Sequence, residues 1–471
     1  MIAIKQHPLQ ALQEACEQAK KEGKPRLVSF VKRINPYDPL ALFCNGRKMF
    51  YGERFIWMDA ARQYTFIGLN HLHVMTTKRN QDRYRSIEKQ WKRFIDQSVH
   101  KKDMFPTGTG PLLFGGFSFD PQKEQTNLWR EFPSGKFIVP QFLYTAIEHE
   151  AYFTINVLVT EKNRAAEIVH WLKRVEETLF GENNRELNPF PSKMLHQEEV
   201  EPIKWKEAVD EATKRIQRGE IEKVVLAREL RASFSQPLPN EYVLQRLMAE
   251  QPTSYIFAFE SGDDCFIGAS PERLVKREQE DVFSTCLAGS IRRGKSEEED
   301  ERLGQELLSD EKNLVEHEVV VHMIKEAMME SCKNIEAPSS PGLYKTKHIQ
   351  HLYTPVKGKI KSGMSLFSLV ERLHPTPALG GYPQKKAKQV IRELELLDRG
   401  WYGSPLGWLD SRGNGEFIVG IRSGLLQKNE ASLFAGCGIV AESDPESEYK
   451  ETKIKFNPML SALGGAIHDI H

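Results

Sequence analysis

The sequence predicts a mixed α+β fold, with large, mainly antiparallel β-sheets wrapped by helices. Strand-like runs come in clusters, at 54–68, from about Pro111 to Thr160, and in short pieces across the glycine-dense stretch 373–440. Amphipathic helices lie between these clusters instead of alternating with single strands, which argues against a Rossmann or TIM arrangement. No internal repeat, heptad array or low-complexity tract breaks the pattern.

Taken in order, Leu9, Leu12, Cys16 and Ala19 recur at helical spacing and define a short amphipathic helix. Residues 26–32 and 54–68 are rich in aromatic and β-branched residues and read as strands. Tyr84, Ile87, Trp91, Phe94 and Ile95 mark one face of a longer helix, and Ile168, Trp171, Leu172, Val175 and Leu179 mark another. Between them LLFGGFSFD and AYFTINVLVT return to strand character. Residues 181–203 are polar, carry prolines and lack a period, so they read as a connector between halves 1–200 and 201–471 of one intertwined unit. The second half opens on a helix bearing Trp205, Val209, Ala212 and Ile216, followed by a strand from Lys223 to Leu230. Residues 297–333 form one long helix or two abutting ones. The last helix starts near Pro445, with Ser443 or Asp444 as its cap.

Composition narrows the function. The chain of 471 residues has 65 basic and 65 acidic side chains, so its net charge is zero, which argues against a general nucleic-acid binder or a membrane-surface protein. The six cysteines form no C-x-x-C pair and read as reduced thiols of a cytoplasmic protein. The N-terminus lacks the apolar core of a signal peptide, and no apolar run approaches the ~20 residues of a membrane span.

Several familiar motifs are absent. Gly108-Thr109-Gly110 has no third glycine for a dinucleotide loop, and no G-x-S-x-G occurs. His317 and His322 are five apart, so they do not share the helix face that a two-histidine zinc site needs. The remaining candidates each carry two readings. Lys223, at the mouth of an apolar run, is either an edge lysine or a partly dehydrated base. Glu272, just after a strand, either salt-bridges Arg273 or stays protonated in an apolar pocket as a general acid. Glu316 lies among apolar helix residues and needs a partner such as a hard cation if buried. Glu448, Glu451 and Lys455 share one face of the last helix, which is either solvated or built to hold a metal and an anion. Arg422 could present a guanidinium fork to a carboxylate. The glycine-interrupted strand holding Gly436 and Gly438 suits a ligand approaching the backbone.

In this order the segments KVVLAR (223–228), GASPERL (268–274), CLAGSIRRG (286–294), DEKNLVEHEVVV (310–321), IQHLYTP (349–355), LHPTPALGG (373–381), GNGEFIVGIRSG (413–424), LFAGCGIV (433–440) and SEYKETKIK (447–455) resemble the chorismate-utilising enzymes. The resemblance covers essentially all of 201–462. The N-terminal half resembles the family less distinctly, through GPLLFGGFSFDP. It implies the fold of anthranilate synthase large subunits. It also implies that Glu316 and Glu451 hold Mg²⁺, that Arg422 and Lys455 bind substrate carboxylates, and that Gly289, Ser290, Gly436 and Gly438 help through their backbone. Lys223 is then the base that activates water at C2, and Glu272 the acid that protonates the departing C4 hydroxyl. His351, Thr376, Ala378 and Leu379 match positions that line the pocket.

Within the family, the aminodeoxychorismate synthases resemble P-I-K-G-T at this segment, where the lysine is the nucleophile; this chain has Ala288 in that place, which implies water as the nucleophile. Anthranilate synthases resemble A-G-T here and carry an N-terminal L-L-E-S that this chain lacks. Salicylate synthases depart from the HPTPALGG pattern. The implied activity is therefore that of the isochorismate synthase branch, an isomerase like those of bacilli that feed menaquinone synthesis, with a catechol siderophore as the other outlet. The implied partners are chorismate and water, with no glutaminase subunit, nucleic acid or membrane, and a monomer or homodimer as the assembly. A non-catalytic chorismate-binding protein of the same fold is the reading from another class, and intact Lys223, Glu272, Glu316 and Glu451 count against it.

Overall fold

The computed structural model describes residues 8–77, 82–99, 105–181, 192–345 and 349–465. Its strands join into one 20-stranded sheet, and every strand-to-strand register is antiparallel. Strands from the two halves of the chain pair directly. Arg54–Met58 binds Tyr255–Ser261, and Leu112–Phe117 binds Pro405–Asp410.

Two runs of strands position the site. One passes from Tyr255–Ser261 through Asp264–Ser270, Ser423–Gln427 and Glu430–Ile439 to Lys223–Phe234. The other passes from Pro405–Asp410 through Gly415–Val419, Arg273–Glu278 and Asp281–Arg292 to Ile349–Ile360. An aromatic core shared by both runs, including Trp57, Phe114, Trp129, Phe266, Trp401 and Trp408, holds them together. Each such ring removes a large apolar area from water, worth about 2–3 kcal/mol apiece.

The helices follow the apolar periods. Pro8–Glu22, Arg83–Ile95, Ala165–Phe180 and Pro202–Gln217 bury the predicted faces. The 297–333 stretch divides into Glu297–Ser309 and Glu311–Met329 at Asp310, whose carboxylate accepts from the Asn313 N–H at 2.7 Å and caps the second helix. Asp444 caps the last helix, Pro445–Ala462, in the same way.

Two expectations need correction. The connector is not structureless throughout. Met194–Glu199 is a strand along Lys223–Phe234, because that edge offers free amides to pair with, and Pro202 already opens a helix. The part of the connector at 182–191 lies outside the described residues. The 373–440 stretch also contains a helix, Gln384–Leu394, which buries Ala387, Val390 and Ile391 at helical spacing.

Candidate active site

Lys223 opens the strand Lys223–Phe234, and its ammonium ion-pairs with Glu316 of the helix Glu311–Met329. The lysine side chain passes over Gly438, which pairs with Val225 on the neighbouring strand and leaves it room. A Cβ on Gly438 would stand 2.7 Å from Lys223 Cε, so any larger residue there displaces the side chain.

Glu316 is aimed by the residue after it. His317 is buried, and its Nδ1 lies 3.0 Å from the Ala288 carbonyl while Nε2 lies 2.8 Å from Thr354 Oγ1. The Nδ1–H tautomer donates to Ala288 and accepts from the threonine. Cys286 and Thr354 face each other in register, and the Cys286 thiol lies 3.6 Å from His317 Nδ1. The histidine thus pins the helix to the strands Asp281–Arg292 and Ile349–Ile360. Its companion, His322, is exposed and pairs with Glu326 at 3.3 Å. The signal for the place of His317 is a lone polar residue on the apolar face of that helix.

Glu272 sits in the turn between Asp264–Ser270 and Arg273–Glu278. Its backbone is fixed, with its N–H on Ser270 Oγ at 3.2 Å and its carbonyl accepting from Val419 at 3.1 Å. Its carboxyl has no ion-pair partner among the described residues, and burial pushes its pKa up to about 7. The charges of Glu272, Glu316 and Lys223 all bear on the Cys286 thiol, which burial and the two carboxylates push upward. These groups therefore share one locality.

A cationic corner adjoins it. Arg422 is held in the left-handed region at φ 50°, and its Nη1 donates to the Lys455 carbonyl at 3.3 Å. Lys455 Nζ donates to the Gly436 carbonyl at 2.9 Å and pairs with Glu451 at 2.5 Å. His351 shares this corner, with its Nδ1 2.8 Å from Ser290 Oγ. Burial first, then the Arg422 and Lys455 charges, push its pKa down to about 4. A bulge between Leu287 and Ser290 sets Ser290 opposite His351, and Gly289 takes φ +81° to make it.

The loop holding Thr376, Ala378 and Leu379 lies along the start of the lysine strand. Gly380 accepts from the Val225 N–H at 3.1 Å, and Gly381 pairs with Val224. The Thr376 carbonyl accepts from Leu379 at 3.0 Å and Gly380 at 2.9 Å, which closes the loop. Its buried hydroxyl has no partner among the described residues, leaving a hydrogen bond for a ligand. Arg399 ties the loop to the strand, donating to the Leu379 carbonyl at 3.0 Å and the Val225 carbonyl at 2.7 Å.

The predicted residues thus form two linked sets, Lys223–Glu316–Glu272 and Arg422–Lys455–Glu451–His351–Ser290, flanking the Gly436–Gly438 segment. Among the described residues no three His, Cys, Asp or Glu side chains converge into a closed metal cage. Mg²⁺ commonly takes only one or two carboxylates and completes its shell with substrate and water; Glu316 and Glu451 are carboxylates of that kind, each ion-paired with a lysine, Lys223 and Lys455.

The chorismate binding enzyme family matches residues 11–464. The isochorismate synthase MenF of Bacillus subtilis is 45% identical over 455 residues, covering 96% of each chain. The structure of the menaquinone-specific isochorismate synthase MenF from Escherichia coli superposes with a TM-score of 0.78, at 23% identity, over 96% of this chain and 100% of that one. Anthranilate synthase component I from Streptococcus pneumoniae shares the fold at a TM-score of 0.72 and 23% identity, over 84% of this chain and 92% of that one. No helix among the described residues is long and apolar enough to cross a membrane. With a family match over residues 11–464 and a relative 45% identical along 96% of the chain, this chain belongs to the chorismate binding enzymes.

Proposed function

We propose that this chain is an isomerase that converts chorismate to isochorismate, adding water at C2 with loss of the C4 hydroxyl. The observation that carries the reading is the state of Glu272. Its carboxyl lacks an ion pair among the described residues, and burial raises its pKa to about 7, so it holds a proton to give near neutral pH.

Lys223 takes the proton of the attacking water. Its ammonium pairs with Glu316, so the role requires the lysine to give up that proton and turn from Glu316 toward the water, whose proton it then takes as a neutral amine. Glu272 protonates the departing C4 hydroxyl. Arg422 and Lys455 meet the carboxylates of the dianionic substrate, and the Ser290–His351 pair and the Thr376 hydroxyl supply polar contacts. Glu316 and Glu451 would hold Mg²⁺, which supplies positive charge at a substrate carboxylate when bound. The methyl of Ala288 provides no nucleophile, so water takes that part. The relationship to a MenF enzyme of Bacillus subtilis supports a place for the product in menaquinone synthesis.

The test is to incubate the pure chain with chorismate and Mg²⁺, with and without ammonium, and to identify products by mass. Isochorismate as chief product in both supports the reading. Anthranilate, aminodeoxychorismate or salicylate as chief product, or no turnover, overturns it.

A further inference from the structure

The strand Lys223–Phe234 is paired along one edge by Glu430–Ile439. Its other edge is bridged only toward its ends. Val225 donates to Gly380, Ala227 donates to Glu395 Oε1 at 2.7 Å, and Glu229 accepts from Val200. Residues 225, 227 and 229 therefore turn their amides to this edge. The carbonyl of Ala227 and the N–H of Glu229 follow each other along it, and neither meets a partner among the described residues.

A groove of about 350 Å³ opens against this edge, within the size range of small-molecule sites. Residues 226–229 line its floor, with Val200, Trp205 and Ala208 on one side and Leu396 and Leu397 on the other. Its charged neighbours are already engaged: Arg231 pairs with Glu229 at 2.8 Å, Lys204 with Glu201 at 3.1 Å, Glu395 with Arg399 at 2.9 Å and Arg228 with Glu199 at 2.5 Å, while Asp398 accepts from the N–H groups of Thr126 at 2.8 Å and Gly400 at 3.0 Å. An ionic ligand would have to break one of these pairs, whereas a neutral one need not. Leu396 stands 67% exposed beside it, and the Trp205 indole N–H is buried without a partner among the described residues.

We propose that this groove is a second ligand site, which takes a neutral, planar heteroaromatic molecule presenting an adjacent N–H and C=O. The N–H meets the Ala227 carbonyl and the C=O meets the Glu229 N–H, while the ring lies between Trp205 and the leucines. The charged corner at Arg422 and Lys455 suits a dianion, so the two sites select opposite chemistries. The assignment does not depend on which reaction the chain catalyses.

The probe is 2-quinolinone, titrated calorimetrically into the full chain, with 1-methyl-2-quinolinone as its donor-less counterpart. One molecule of 2-quinolinone per chain is expected, with binding undiminished in saturating chorismate. N-methylation should weaken it about tenfold, the size of effect of a lost hydrogen bond. Leu396→Glu, a change at an exposed position, should weaken it to a similar degree without altering the thermal midpoint. Absence of saturable binding, equal binding of the N-methyl compound, displacement by chorismate, or indifference to Leu396→Glu each overturns the assignment.

Discussion

Arg273 gives its guanidinium to Glu416, at 2.6 Å, and not to Glu272, the residue beside it in sequence. Tyr255 completes the arrangement, its hydroxyl donating to Glu416 at 2.7 Å. The cation beside it in sequence is thereby engaged elsewhere, and Glu272 is left to burial alone, which takes its pKa from 4.5 to about 7.

The first prediction follows from that shift. A desolvated acid with a raised pKa disfavours its charged form, so this group's contribution to stability is fully present below about pH 4.5, falls as pH rises, and is lost above about pH 7. Glu272→Gln removes the penalty. Thermal denaturation should show the variant more stable than the parent by roughly 2 kcal/mol above pH 7 and equal to it near pH 4. Turnover should fall by roughly 10²–10⁴-fold, because the amide cannot give up a proton as the acid does.

Gly438→Ala tests the reach of Lys223. The added methyl would stand 2.7 Å from Lys223 Cε, so the lysine has to move while the strand persists. Steady-state kinetics should show kcat lowered at least about tenfold, with a normal circular dichroism spectrum. Lys223→Ala should lose roughly 10²–10⁴-fold in turnover, and near-normal rates would remove the lysine from the role of base.

Glu316→Gln and Glu451→Gln should each raise the Mg²⁺ concentration needed for half-maximal rate by more than about tenfold, read from activity and from calorimetric Mg²⁺ titration. Folding should survive both, since these side chains are 36% and 51% exposed.

His317→Leu probes the pin behind Glu316. It removes a donor from the Ala288 carbonyl and strands the Thr354 hydroxyl, at a cost of roughly 1–3 kcal/mol. Chemical denaturation should register that loss.

Much of this was legible in the sequence, for reasons particular residues make plain. Helices such as Arg83–Ile95 declare themselves because one face repeats every turn. The helix Gln384–Leu394 was hidden by the glycines around it, although Ala387, Val390 and Ile391 carry the period. Site residues could be named only through their ordered motifs, because each has an ordinary local explanation. Lys223 and Glu316 lie 93 positions apart, and no local pattern encodes their pairing. The Glu272–Arg273 ambiguity likewise turns on Glu416, 143 residues beyond Arg273, which only the fold brings near. The place of His317 is not legible in the sequence, because its partners Ala288 and Thr354 lie on two strands whose register is a tertiary property.

The central claim is that water, activated by Lys223, attacks C2 because Ala288 offers no nucleophile. Turnover of chorismate in ¹⁸O-labelled water, followed by mass spectrometry, tests it most directly. One labelled oxygen at C2 of isochorismate is the predicted result, unchanged by ammonium. Isochorismate without label at C2, or a nitrogen-bearing chief product, would contradict it.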